Sequence, residues 1–186
     1  AGTPIQSMIR SARAITPVIA AIAPNDSRQR FTALGVTVIT AHARFTDKRT
    51  VVAGDYEISA RRFVIATGSS PLVPEIPGLD TVPHFTNETI FSNRSRPGHL
   101  VIIGGGPIGL EMAQAHRRLG SEVTVLEAAR VLGRDDRELV DVVLARLAGE
   151  GVSIREGARV SRIERHGRAG VRVHFETAAG HERIDG

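Results

Sequence analysis

Residues 100–127 read LVIIGGGPIGLEMAQAHRRLGSEVTVLE: an apolar strand, a glycine turn, an amphipathic helix and a second strand closed by a carboxylate. That order is the one a dinucleotide-binding βαβ unit requires. Leu100 to Ile103 form a short apolar run rich in β-branched residues, as expected of a strand buried on both faces of a parallel sheet. Gly104 permits the tight bend, Gly106 lets a pyrophosphate approach the main chain, and Gly109 lets the helix lie close to its strand. Gly105, Pro107 and Ile108 complete the turn. Pro107 falls near the first helical position, where its missing N–H costs nothing. The helix start then offers free amides and about half a positive charge to a phosphate.

Within the helix, Ile108, Met112, Ala115 and Leu119 recur three or four apart and predict one buried stripe, with Gln114, Arg117 and Arg118 toward water. Gly120 ends it. Glu122–Leu126 give the second strand, and Glu127 follows about 20 positions beyond the turn, where a carboxylate accepts hydrogen bonds from both ribose hydroxyls of an adenosine and repels a 2′-phosphate. The expectation is NAD in preference to NADP, with Arg130 the nearby residue that would soften that choice.

Composition bounds the rest. The chain has 186 residues, 41% of them hydrophobic, enough for one ordinary domain or two small ones. There is no run of about 20 apolar residues to span a bilayer and no basic-then-apolar leader, so a cytoplasmic protein with no membrane partner is expected. The net charge of +4 comes from arginine, Lys48 being the one lysine, and no basic run is interleaved with aromatics, which argues against nucleic-acid binding. Cysteine is absent, excluding a disulfide framework, a thiolate metal site and a cysteine nucleophile within this chain. The seven histidines do not fall in metal-ligand spacings and read as structural or exposed.

Upstream, Ile5 to Ile22 follow a helical period interrupted by Pro17, and Asp26 or Ser27 can cap a second helix ending at Gly35. Val36 to Thr40 read as a strand, followed by short strands at 43–45, 50–52 and 56–59 in a meander and a buried strand at 63–67. Residues 68–98 carry Pro71, Pro74, Pro77, Pro83 and Pro97 and read as an irregular crossover between domains. After Glu127, acids at Asp135, Asp136 and Glu138 open a helix whose apolar pattern is Leu139, Val142, Val143 and Leu147, ending at Gly149 and Gly151. A third strand at 152–155 and a hairpin of 160–164 with 171–176 complete the pattern. Three parallel strands are fewer than such a nucleotide domain normally has.

Several ordered motifs extend the reading: AHARF at 41–45, ISARRFVIATGSSP at 58–71, IPGLD at 76–80, FTNETIF at 85–91, and the glycine-turn unit itself. With these the sequence resembles the FAD-dependent pyridine nucleotide-disulfide oxidoreductases, the family of dihydrolipoamide dehydrogenase and mercuric reductase, over nearly all of its length. The resemblance implies an α/β fold in which a Rossmann-like NAD-binding domain, here 97–186 and lacking its final strand, follows a partial FAD-binding domain, here 1–96. It implies FAD contacts at Thr67, Gly68 and Ser69, an adenine neighbour in the main chain of Ala43, an acid near the nicotinamide and flavin in Glu111, and an adenosine-site residue in Val160.

The family's own FAD glycine motif, its redox cysteine pair and its dimerisation domain with a His-Glu pair are not found here. The chain is therefore expected to be an internal fragment of a homodimeric flavoprotein that passes electrons from NADH through FAD and a dithiol to its acceptor. A non-catalytic NAD-binding module is the alternative. A Tyr-Lys dehydrogenase is excluded, since neither residue occurs after 127.

Overall fold

The computed structural model describes residues 17–168 and 170–186. The chain forms two compact units, one reaching from the first described residues to Ser70 and the other from Pro71 to Gly186. Most of the helical period read at Ile5–Ile22 lies outside the described residues.

In the first unit a helix, α1 (Arg28–Ala33), is capped by Ser27, whose hydroxyl accepts from the Arg30 amide at 3.2 Å. Strands β1 (Ala43–Phe45), β2 (Thr50–Ala53) and β3 (Tyr56–Ser59) form an antiparallel meander in that order. Two expected strands are absent. Residues 36–40 and 63–67 carry no ladder, and Val64 and Ile65 are 90% and 74% exposed. Their β-branched composition suits a strand, but a strand forms only against a partner, and among the described residues none pairs with them.

The second unit is built on three parallel strands in the order β4 (His99–Ile103), β5 (Glu122–Leu126), β6 (Ser153–Arg155). Helix α2 (Pro107–Arg118) joins the first two and α3 (Arg137–Gly149) the second pair. Alternation along β5 splits the interior. Val123 and Val125 face a cluster with Leu110, Ala113, Val131, Leu147 and Val152, while Leu126 faces one with Leu79, Val82, Ala158, Ile163, Val173 and Phe175. Both helices are turned relative to the sequence expectation. On α2 the buried residues are Leu110, Ala113 and His116, whereas Ile108 and Ala115 are exposed. On α3 Val140 and Leu147 are buried, while Leu139 and Val142 stand 69% exposed. For α2 the reason is steric: a Cβ on Gly109 would collide with the Gly104 carbonyl oxygen, so the face that carries Gly109 lies against the turn, and Ala113 on that face is fully buried.

The second cluster lies under an antiparallel sheet, β7 (Arg159–His166), β8 (Gly170–Thr177) and β9 (Gly180–Asp185). The hairpin was legible in the sequence. Strand β9 was not, because GHERID presents only Ile184 to the core. The irregular segment 71–98 contains only short 3-10 turns at Leu79–Thr81 and Ile90–Ser92. Its IPGLD stretch is stitched to β7, Pro77 accepting from the Ile163 amide at 2.9 Å. At Gly78, φ is 86° and a Cβ would stand 2.0 Å from the Ile163 carbonyl oxygen, so only glycine fits.

Candidate dinucleotide site

Between β4 and α2 the chain turns at Gly104, with φ of 111° and its amide donating to the Leu126 carbonyl at 2.9 Å, which fixes the turn to the end of β5. A Cβ on Gly109 would lie 2.2 Å from the Gly104 carbonyl oxygen, so the helix rests on the turn at a distance only glycine allows. Pro107 occupies the first helical turn behind Gly106, and the Leu110 amide closes that turn onto the Gly106 carbonyl at 3.1 Å. No side chain caps this end of the helix. The amides of Ile108 and Gly109 therefore remain as donors without intrahelical acceptors. A Cβ at Gly106 would meet nothing within 4 Å, which leaves the main chain open where a phosphate would approach. The residues present fit a pyrophosphate.

Glu127 is half-buried and engaged on both oxygens. Oε2 accepts from the Gly105 amide at 2.8 Å and Oε1 from the Ala129 amide at 2.8 Å. Its own amide donates to the Arg155 carbonyl at 2.9 Å, and its carbonyl accepts from Ala158 at 2.9 Å. Each carboxylate oxygen has a second lone pair, so capacity for two ribose hydroxyls remains.

Three contributors were missed in the sequence. Val131 is fully buried, and a Cβ on Gly105 would stand 2.6 Å from its Cγ2. Leu132, in the left-handed region at φ of 49°, donates its amide to the Gly105 carbonyl at 3.0 Å. Glu156 accepts the Val131 amide at 2.7 Å. No periodicity marks Glu156, and only the pairing of distant turns reveals it.

The remaining expected site residues are placed less tightly. Glu111 is exposed on α2, and Val160 is half-buried at the start of β7 against the Leu126 and Phe175 cluster. Among the described residues, no side-chain hydrogen bond ties either to the glycine turn. Ala43, Thr67, Gly68 and Ser69 belong to the other compact unit and are exposed, Ala43 paired with Ala53 across the meander. A Cβ at Gly68 would meet nothing within 4 Å, so the main chain is open there.

Comparison with known proteins bears on the same residues. The family described as "Pyridine nucleotide-disulphide oxidoreductase" matches residues 3–185. Mercuric reductase from Bacillus cereus is 36% identical over 143 residues, which are 76% of this chain and 22% of that protein. The probable pyridine nucleotide-disulfide oxidoreductase RclA of Escherichia coli (strain K12) is 39% identical over 149 residues, 77% of this chain and 34% of that protein. A solved Cu(II) complex of the HOCl-induced flavoprotein disulfide reductase RclA from Escherichia coli aligns with a TM-score of 0.70 at 29% identity, covering 97% of this chain and 44% of that one. The chain thus spans less than half the length of these relatives.

Proposed function

Since this chain belongs to the pyridine nucleotide-disulphide oxidoreductase family, we propose that it is the pyridine-nucleotide-binding part of a longer flavoprotein that oxidises NADH and reduces a disulfide or metal-ion acceptor. The observation that carries the reading is the uncapped start of α2, where the Ile108 and Gly109 amides stand beside an open Gly106, with Glu127 anchored against Gly105. A bound nicotinamide supplies the hydride. The chain's own residues hold the pyrophosphate through main-chain donors and the helix dipole, and Glu127 receives the adenosine ribose.

Glu127 favours NADH, because a 2′-phosphate would bring a second anion against its carboxylate. Glu111 and Val160 line the nicotinamide and adenosine ends of this reading. Residues 1–96 fall to the flavin side, with Ala43, Thr67, Gly68 and Ser69 as the flavin-nucleotide contacts, and 97–186 to the nucleotide side. The dithiol belongs to another part of the parent, since cysteine is absent here. The parent is a homodimer working in the cytoplasm. Among the described residues no helix is long and apolar enough to cross a membrane.

Calorimetric titration with NADH and NADPH, together with a visible absorption spectrum, tests this. Saturable NADH binding, tighter than that of NADPH, supports the reading. Absence of binding to either coenzyme overturns it for this chain, and a flavin spectrum in the purified chain would show that residues 1–96 hold FAD without further segments.

A further inference from the structure

Resting on the pyridine-nucleotide reading above, we infer that Glu156 is a positioning residue for the adenosine end of the site, acting through the turn that follows Glu127. That turn, 128–132, has no regular structure and is held from two sides. Toward the glycine turn, Leu132 donates to the Gly105 carbonyl at 3.0 Å, and Val131 fills the space where a Gly105 side chain would lie. Toward the β6–β7 connection, Gly157 donates to the Ala129 carbonyl at 3.0 Å, and Glu156 Oε1 accepts the Val131 amide at 2.7 Å. Arg137 Nη1 stands 4.0 Å from the same oxygen.

Of these hydrogen bonds only the one from Glu156 is made by a side chain, so it is the one a substitution can cut without touching the main chain. Releasing Val131 frees its neighbour Ala129, whose amide holds one oxygen of Glu127, and loosens the packing over Gly105, whose amide holds the other. Arg130 is exposed between two fixed residues. The position from which its guanidinium would meet a 2′-phosphate is therefore also set by Glu156.

The test compares Glu156→Ala with Glu156→Gln in the full chain. Gln keeps an oxygen to accept the Val131 amide; Ala does not. For Glu156→Ala we expect NADH affinity to fall about tenfold or more, the NADH-to-NADPH preference to change, and amide exchange at Gly105, Ala129 and Val131 to accelerate about tenfold, with Val125 at the centre of β5 unchanged. Glu156→Gln should stay within about threefold of the parent chain in all of these. A Glu156→Ala chain with unaltered affinity and preference overturns the inference, as does a Gln variant as impaired as Ala. If the unsubstituted chain binds neither coenzyme, the pyridine-nucleotide reading fails on its own, and exchange at Gly105 and Val131 still decides whether Glu156 holds the turn.

Discussion

The glycines of the turn divide by what a methyl group would meet. At Gly106, φ of −76° and ψ of 176° suit any residue and the space is empty. Gly106→Ala should therefore leave the thermal midpoint within about 2 °C while lowering NADH affinity at least about tenfold, because its Cβ occupies the phosphate approach. At Gly109 the Cβ would meet a carbonyl oxygen at 2.2 Å, and Gly109→Ala should cost about 2 to 4 kcal/mol in urea denaturation through main-chain displacement. These roles were legible because a glycine requirement is local to its turn. The second duty of Glu127 was not. It depends on where the Gly105 and Ala129 amides come to rest, and no window of sequence contains all three with their geometry. Val131 and Glu156 escaped for the same reason.

At the level of elements, the parallel strands, both helices of the nucleotide unit and the hairpin followed from apolar pattern, caps and glycines. Helix rotation did not, because the face that packs is chosen by the partner: the face carrying Gly109 and Ala113 lies against the Gly104 turn, which sends Ile108 outward. Strands read at 36–40 and 63–67 failed for want of a ladder, and β9 formed on a ladder despite a polar sequence.

The C-terminal ends of α2 and α3 are joined at Glu150, whose side chain is only 16% exposed. It takes two hydrogen bonds from Arg118, at 2.8 and 2.7 Å, and one from Arg146 at 2.7 Å. The Arg118 guanidinium, seconded by Arg146, holds its carboxyl down at about 2. With the folded value below the unfolded one, this contribution is complete above the ordinary glutamate range of about 4.3 and is lost as pH falls from there toward 2. Glu150→Gln should therefore flatten the loss of stability between pH 5 and 2 seen in denaturation curves.

For the whole molecule, the exposed Val64 and Ile65 predict self-association that rises with concentration, measurable by light scattering. Val64→Ser with Ile65→Thr should reduce it, and a monomer at all concentrations in the unsubstituted chain would count against the expectation. A further consequence follows from the stitch between the IPGLD stretch and β7. The Arg165 guanidinium reaches the Thr81 carbonyl at 3.2 Å across 84 residues, an interval that contains the entire parallel sheet. During synthesis Leu79 and Val82 thus leave the ribosome long before Ile163, Val173 and Phe175 of their cluster, which are made more than eighty residues later. Closing so long a loop belongs to the last stage of folding. Gly78→Ala, which forces these two segments apart, should accordingly speed unfolding by about tenfold or more and leave the refolding rate nearly unchanged.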